Sequence, residues 1–350
     1  MRKMALLTLL LLSALFAGCG NSRSGKVFTL YTWEGMFPDE ILAGFEKETG
    51  YRVNYINFDL DETMLTKLQA AKGGDYDLVI ADDYIIEVAI AEGLVQKLDK
   101  GKIPGFRNIN PVCQGVFYDP RDEYTVPYGA GVQTIVYDPA RVNLNITGYA
   151  DLWNSSLRNS IGITANYRVI DGIPLKIMGS SYNSENAAEI RRAGQMLLDL
   201  APNIRLIKDD NLQDDLLSGE ISVGVMYTSQ VTMAMMENPA LKVVYPKEGI
   251  GYGLMAGFVP VNAPNSAAAH AFLNYILDPE RGAACFEYLG YYSTFSASDE
   301  YISPEYRAFL TLPLEYTTNM EMMHNVSDEA EEAHNLICTA YREATGGAGN

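Results

Sequence analysis

The chain is poor in the residues that build metal centres and disulfide frameworks. Its 350 residues include four cysteines and three histidines. Cys113, Cys285 and Cys338 are widely spaced and form no CxxC pair, so neither a zinc site nor a regular disulfide pattern is indicated. Either three buried single cysteines or one disulfide with a free thiol fits this spacing. Metalloprotease, nucleophile-elbow and phosphate-loop motifs are also absent, so we predict no catalytic residues, no metal and no cofactor.

Basic residues are outnumbered as well, with 26 Lys and Arg against 44 Asp and Glu, for a net charge of −18. The net charge becomes −20 if a leader containing Arg2 and Lys3 is removed, because 24 basic residues then face the same 44 acids. Such a surface repels nucleic acid and concentrates cations near it. The composition therefore argues against nucleic-acid binding and mildly favours a cationic ligand, although a well-solvated surface explains it equally well.

Long apolar runs are confined to the N-terminus. Two basic residues and the apolar stretch Met4 to Phe16 lead, through two small residues, to Cys19. This stretch is shorter than the roughly 18 residues of a membrane-spanning helix and is typical of a secretory signal. Its small-small-Cys end resembles the lipobox of bacterial lipoproteins, although Phe16 replaces the preferred Leu. We predict a signal peptide at 1–18, a lipid anchor on Cys19 and a flexible tether at 19–26; the alternative is an ordinary signal peptide with a chance cysteine.

Strand and helix patterns alternate along the rest of the chain. Val27 to Thr32 and Tyr76 to Ala81 are β-rich apolar runs, and each is followed by apolar residues at helical spacing. The alternation repeats between Ile161 and Tyr227. It predicts an α/β fold with two lobes, each built on an open sheet.

Ligands of such sheets bind where the strands end at their carboxyl edge. Two loops meet this condition, because Trp33 and Glu34 follow the first strand whereas Asp82, Asp83 and Tyr84 follow the third. Both loops combine an aromatic ring with carboxylates. We therefore expect these five residues to lie at one edge of a sheet and to form part of a binding site.

Further segments occur along the chain in a fixed order. They include Tyr31-x-Trp33, Phe45 to Val53, Glu62-Thr63-Met64, Tyr76-Asp77-Leu78-Val79, Glu92 to Lys100, Val126-Pro127-Tyr128, Ala150-Asp151-Leu152-Trp153 and Tyr245-Pro246-Lys247-Glu248-Gly249. Together they resemble the spermidine/putrescine-binding receptors of polyamine ABC importers, from about residue 27 to about residue 340.

The resemblance implies a type II periplasmic-binding-protein fold, with mixed, mostly parallel sheets in two lobes joined by a two-crossing hinge. We predict lobe 1 at 27–132 and 252–299, and lobe 2 at 133–251 and 300–345. The implied protein is a monomeric receptor without enzymatic activity, anchored outside the cytoplasmic membrane, in the periplasm or at the cell surface. Its implied partners are a polyamine, putrescine or spermidine, and an ABC permease.

Rings and carboxylates of the family's ligand pocket carry over in part. Trp33, Tyr84 and Tyr291 match ring positions of the family, and Tyr227 stands where the family has Trp. In that family, carboxylates clamp the ammonium groups while the rings sandwich the methylene chain, because a desolvated ammonium needs a carboxylate or a ring face.

The family's carboxylate clamps are largely missing. One pair is replaced by Asn166 and Val169, with Arg168 kept and Asp171 two residues further on. A Trp-x-Asp sequence of the family reads Gly253-Leu254-Met255 here.

We predict that the acids elsewhere in the chain hold the ammonium groups of a short diamine or another small cation; these acids are Glu34, Asp82, Asp83 and Asp171. Arg168 leaves two interpretations open, because it either binds a ligand carboxylate or pairs with Asp171. The alternative function is a receptor of the same fold for an amino acid, thiamine or ferric ion.

Overall fold

A computed structural model describes residues 26–208, 211–310 and 319–346 of the chain. The predicted signal peptide, the lipid-anchor residue Cys19 and all but the last residue of the tether lie outside these ranges. The strands are β1 (Val27–Thr32), β2 (Arg52–Asn57), β3 (Leu78–Ala81), β4 (Thr125–Tyr137), β5 (Ile161–Ile163), β6 (Ile204–Ile207), β7 (Val223–Tyr227), β8 (Lys242–Val244), β9 (Ile250–Phe258) and β10 (Met320–Met322).

Helices alternate with these strands. They are α1 (Asp39–Thr49), α2 (Asp61–Ala70), α3 (Asp83–Ala91), α4 (Tyr167–Ile177), α5 (Ala187–Leu200), α6 (Leu212–Ser218), α7 (Thr228–Glu237), α8 (Ser266–Ile276), α9 (Pro279–Leu289), α10 (Pro304–Leu310) and α11 (Asp328–Ala344). No helix of the described ranges is both long and apolar enough to cross a membrane.

Two sheets share the long strand β4. The first sheet has the order β2-β1-β3-β9-β4, and the second continues from β4 through β7 and β5 to β6. Residues Thr125 to Val132 pair with β9, whereas Gln133 to Tyr137 pair with β7. β4 therefore carries the chain from one sheet to the other, and all 13 of its residues are buried.

Each sheet has its own apolar packing. The first lobe is built around one core that contains Phe28, Leu30 and Phe272. The second sheet is covered on both faces, since successive residues of a strand point to opposite sides. Ile135 of β4 accordingly belongs to the cluster beneath α4, α5 and α11, whereas its neighbour Val136 belongs to the cluster beneath α6 and α7.

The C-terminal segment contacts both lobes. β10 pairs with β9 in the first sheet, and Met322 is part of the first core. Helix α11 then packs on the second lobe through Cys338 and Tyr341. Glu321 adds a link from β10 to the second lobe, because its carboxylate accepts hydrogen bonds from Lys176 Nζ at 3.0 Å and from the Tyr182 backbone N–H at 3.2 Å.

The three cysteines within the described ranges are single and buried. Cys113, Cys285 and Cys338 form no disulfide with one another. The interpretation of the sequence as three buried single cysteines is therefore confirmed.

Candidate ligand-binding cleft

Three strand ends bring polar side chains together between the lobes. Asp82 and Asp83 follow β3 and begin α3, in the first lobe. Asn166 and Arg168 follow β5 and begin α4, and Tyr227 ends β7, both in the second lobe. Each of these strands is followed directly by a helix, so the side chains at the junction lie at the carboxyl edge of their sheet.

These junctions enclose a cavity of about 140 Å³. Its lining residues are Asp82, Asp83, Tyr84, Gly129, Gly131, Asn166, Arg168, Tyr227, Gly253, Met255, Tyr291 and Met323. Seven of these were expected at the site from the sequence, whereas Trp33, Glu34 and Asp171 are not among them. The glycines and the two methionines were not anticipated as lining residues.

Three glycines contribute only backbone to the cavity lining and are here called the glycine floor: Gly129, Gly131 and Gly253. Gly131 of β4 pairs directly with Gly253 of β9. A Cβ at Gly131 would lie 3.1 Å from the Tyr291 ring, and one at Gly129 would lie 2.6 Å from the terminal methyl of Met255. A side chain at Gly131 or Gly129 would therefore have to displace the Tyr291 ring or the Met255 methyl group, both of which rest against the strand.

Asp83 is fixed by backbone donors. It is 4% exposed, and its Oδ1 accepts from the Tyr84 N–H at 2.8 Å while Oδ2 accepts from the Leu254 N–H at 2.9 Å. Burial and the adjacent Asp82 carboxylate raise the pKa of Asp83 to about 8, although both backbone donors favour its ionised form. Asp83 therefore joins α3 to β9 as well as lining the cavity.

The Asp82 carboxylate, in contrast to that of Asp83, accepts no hydrogen bond from the backbone of its helix, although Asp82 caps α3. Burial raises its pKa to about 6, and the nearby positive charge of Arg168 opposes this shift. Its carboxylate is thus the acidic group of the cavity wall that is least committed to the fold.

Behind Asp82 lies Asp61, which the sequence did not single out as a site residue. Asp61 is 4% exposed, and its Oδ2 accepts from the Tyr84 hydroxyl at 3.2 Å. Burial and the Asp82 carboxylate raise the pKa of Asp61 to about 8, against the effects of the Tyr84 hydroxyl and the Asp82 backbone N–H. Its position was not predictable from spacing, because α2 and α3 are brought together only by tertiary packing.

Arg168 faces the acids from the second lobe. Its guanidinium lies 4.6 Å from the centre of the Tyr84 ring and 4.5 Å from that of Tyr167. One terminal nitrogen donates to Asn325 Oδ1 at 3.2 Å, and the buried Nε has no hydrogen-bond partner within the described residues. Stacking on two rings fixes the direction of the guanidinium while leaving donor capacity unused.

Asn325 connects the two walls. Besides accepting from Arg168, its side-chain amide donates to the Tyr84 carbonyl at 2.5 Å and to Glu87 Oε2 at 3.3 Å. It lies between β10 and α11, in the segment that contacts both lobes. A single amide therefore contacts Arg168 of one lobe and Tyr84 of the other.

Asp171 lies inside the second lobe instead of at the cavity. It is 1% exposed, and its carboxylate contacts His334 Nδ1 at 2.8 Å and Cys338 Sγ at 3.0 Å. Arg168 therefore does not pair with Asp171, which removes one of its two interpretations. The side chain lies on the face of α4 that packs against α11, and a count of residues past the strand end does not reveal that face.

The loop after β1 is also apart from the cavity. The Trp33 ring packs on Phe58, with ring centres 4.9 Å apart, and Glu34 is exposed. β1 and β3 are parallel neighbours, as expected, so both loops do lie at one edge of the first sheet. Trp33 and Glu34 nevertheless are not among the residues that line the cavity.

Comparison with known proteins places this two-lobed structure in a family. The model of the bacterial extracellular solute-binding proteins matches residues 40–309. The chain belongs to this family. The spermidine/putrescine-binding periplasmic protein of Salmonella typhimurium is 33% identical to it over 297 residues, covering 83% of this chain and 84% of the relative. The protein of the same description from Escherichia coli is 31% identical over 293 residues, with the same coverage.

Solved structures confirm the fold of this solute-binding protein. The spermidine/putrescine ABC transporter substrate-binding protein of Streptococcus pneumoniae is 26% identical, with a TM-score of 0.84 over 91% of this chain and 99% of that one. A lipoprotein of Treponema pallidum shares the fold at 23% identity and a TM-score of 0.81. The predicted type II periplasmic-binding-protein fold and the resemblance to polyamine receptors are both confirmed.

Proposed function

We propose that this solute-binding protein is the extracytoplasmic receptor of an ABC importer and binds a polyamine, putrescine or spermidine, between its lobes. The names of the relatives support this proposal. The observation that carries it is the composition of the cavity wall, where Asp82 and Asp83 occur together with the rings of Tyr227 and Tyr291.

These groups match the two parts of a polyamine. An ammonium at Asp82 and Asp83 replaces its lost hydration by charge-assisted hydrogen bonds. The methylene chain crosses the glycine floor beside Tyr227 and Tyr291, where each buried CH₂ contributes about 0.8 kcal/mol. Each ring that also meets an ammonium adds about 0.5 to 2 kcal/mol. The acids lie on one wall and Arg168 faces them, which favours a short diamine with one ammonium at the acids.

A ligand panel tests this function. Putrescine, cadaverine, spermidine and spermine are titrated into the mature protein by calorimetry, and each is also followed by thermal unfolding. A ligand present at a hundredfold excess over its Kd stabilises the fold by about 2.7 kcal/mol, which gives a measurable shift. The absence of heat and of thermal stabilisation with all four amines would refute the polyamine assignment.

A second candidate ligand is an amino acid, and Arg168 is the observation that favours it. Its guanidinium has an unused donor within the described residues and is directed by two rings. Ornithine and putrescine form a matched pair, because ornithine is the same diamine with a carboxylate added. An amino-acid receptor binds ornithine more tightly, and Arg168→Gln then weakens ornithine binding. A diamine receptor shows the reverse preference, and Arg168→Gln leaves putrescine affinity unchanged or improves it.

Trp33 and Glu34 remain candidate ligand contacts of a more closed form. Their loop lies at the same sheet edge as Asp82, within one strand of it. If lobe closure brings this loop to the ligand, Trp33→Ala and Glu34→Gln weaken binding. Unchanged affinity in both variants would show that neither residue contacts the ligand. Trp33 would then serve only to pack on Phe58, and Glu34 would be a solvent-exposed surface residue.

The remaining parts of the proposal concern attachment and assembly. We assign a lipid anchor to Cys19, a tether to 19–26 and the lobe boundaries given above, with an ABC permease as partner and a monomeric receptor. The strand pairing of β4 changes between Val132 and Gln133, which supports the first boundary. Labelling of the expressed full chain with a palmitate analogue should succeed in the native protein and fail in Cys19→Ser. Sedimentation of the soluble mature domain measures its oligomeric state.

A further inference from the structure

Four carboxyl groups meet where α2 and α3 begin, beside the cavity. Asp61 and Glu62 belong to α2, and Asp82 and Asp83 to the start of α3. The Tyr84 hydroxyl and the Arg168 guanidinium also face these acids. The hydroxyls of Tyr227 and Tyr291 face Asp82, and those of Tyr118, Tyr227 and Tyr252 face Asp83. The Tyr84 hydroxyl lies within hydrogen-bonding distance of two carboxylates, Asp61 Oδ2 at 3.2 Å and Glu62 Oε1 at 3.3 Å.

One oxygen of Asp61 lacks a donor when all four acids are ionised. Asp61 is only 4% exposed, and its Oδ1 has no hydrogen-bond partner within the described residues. The Asp61 and Asp82 carboxyl groups act on each other, because a hydrogen bond from Asp61 lowers the pKa of Asp82 against the larger effect of burial. Two carboxylates repel each other, whereas a carboxylic acid donates to a carboxylate. A single proton between Asp61 and Asp82 therefore satisfies the buried oxygen and removes one buried charge.

We infer that Asp61 is a positioning residue that shares a proton with Asp82 in the empty receptor, and that a cationic ligand arriving at Asp82 displaces this proton. The inference rests on the proposed function, since it requires an ammonium ligand at Asp82. Asp61 itself does not line the cavity and acts through Asp82.

The exchange conserves charge and atoms. In the empty receptor, the Asp61 carboxylic acid donates to the Asp82 carboxylate. The ligand ammonium then donates an N–H to Asp82, and its positive charge favours the ionised form of Asp61. The O–H bond of Asp61 breaks and the proton passes to the buffer, so the bound complex contains both carboxylates and the ammonium. An alkylammonium has a pKa near 10 and stays protonated at neutral pH, so the released proton comes from the protein.

Two-buffer calorimetry measures this proton directly. Putrescine is titrated into the mature receptor at pH 7 in phosphate and in Tris, whose ionisation enthalpies differ, and the difference in heat gives the protons released per ligand. We expect net release in the native protein and an affinity that increases about tenfold between pH 6 and pH 8, as linkage requires for a released proton. Asp61→Asn keeps a donor towards Asp82 without a titratable group, so release should fall by at least half.

Asp59→Asn is the matched control, because Asp59 is exposed just before α2 and its replacement should leave proton release unchanged. Heat without proton release in the native receptor would overturn this inference alone, and needs no variant to fold. Equal release by the native protein and a folded Asp61→Asn would also overturn it. No heat with any amine would refute the proposed function, and with it this inference, which keeps the two failures distinguishable.

Discussion

At Asp82, the effect of a substitution on the proposed ligand binding can be separated most clearly from its effect on folding. Asp83 beside it accepts two backbone hydrogen bonds, one of them from β9, so its replacement disturbs the fold as well as the site. Asp82 accepts no such bond from its helix. A substitution at Asp82 is therefore the cleaner probe of the ligand's charge.

Asp82→Asn is expected to weaken putrescine binding at least about tenfold, because an ammonium loses one desolvated carboxylate partner. Thermal stability without ligand should stay equal or rise, since the change removes a charge beside Asp61 and Asp83. Calorimetry and thermal unfolding measure both effects. Asp199→Asn on the exposed face of α5 is the control and should alter neither; native-like affinity in Asp82→Asn would place the ligand elsewhere.

The glycine floor can be tested by adding one methyl group at a time. In Gly131→Ala the new Cβ would lie 3.1 Å from the Tyr291 ring, a tighter contact than usual, so the ring of this cavity-lining residue must shift. In Gly253→Ala the nearest atom is Asp83 Oδ2 at 3.6 Å, an ordinary contact. Gly131→Ala should therefore weaken diamine binding several-fold more than Gly253→Ala, as measured by calorimetry. Equal affinities in the two variants would show that the position of Tyr291 is irrelevant to the ligand.

At the scale of elements, α11 is attached to α4 by a buried ionic contact. His334 Nδ1 contacts Asp171, and its Nε2 contacts the Ser184 carbonyl at 3.0 Å. The Asp171 carboxylate and the Ser184 carbonyl both accept hydrogen bonds, so an imidazole protonated on both nitrogens, and therefore charged, fits this site. Burial lowers the pKa of His334, but the hydrogen bonds to Asp171 and Ser184 raise it overall.

The stability of this contact depends on pH. A histidine with a raised folded pKa contributes stability that is complete below its unfolded value of about 6.5 and is lost as the pH rises through the folded value. Urea unfolding of the native protein should therefore show a decline in stability above about pH 6.5. His334→Gln should cost about 2 kcal/mol at pH 6 and lack this part of the decline. His324→Gln should retain it; a decline of the same size in His334→Gln would refute the assignment.

Regular elements were predictable where their apolar pattern is regular. β1 has the predicted bounds, and the predicted alternation between Ile161 and Tyr227 is present as β5, α4, α5, β6, α6 and β7. β4 was missed because Pro127, Gly129 and Gly131 break up its pattern, although all of it is buried; a register shift at 127–129 accommodates these residues. β10 was missed because a three-residue strand in polar surroundings has no periodicity.

The site was predictable where topology alone decides it. The rule for α/β sheets located Asp82, Asp83 and Tyr84. Asn166, Arg168 and Tyr227 were expected from the resemblance to the polyamine receptors, and the structure places them at strand ends as well. Asp171 and Asp61 required knowledge of which helix face packs against which neighbour. The partner that holds Asp171, His334, is 163 residues away in the chain, and no local pattern links them.

For the whole molecule, the excess of acids should act on the rate of ligand capture. A net charge of −18 attracts a dication over distances that salt screens. The association rate constant for putrescine, followed by stopped-flow fluorescence, should fall about tenfold between low salt and about 0.5 M salt. Ornithine carries one net positive charge and should show a shallower dependence. Equal slopes for both ligands would show that long-range attraction does not control capture.

A cavity whose floor is backbone gives this receptor an evolutionary freedom that a floor of side chains would not. An alanine at Gly253 adds one carbon to the lining of the cavity and removes none of its acids or rings, and the nearest atom to that carbon, Asp83 Oδ2, is 3.6 Å away. A single codon change there can shorten the cargo that fits while the lobes and the docking surface for a permease stay as they are. Receptors of one importer can thus diverge in cargo before they diverge in partner.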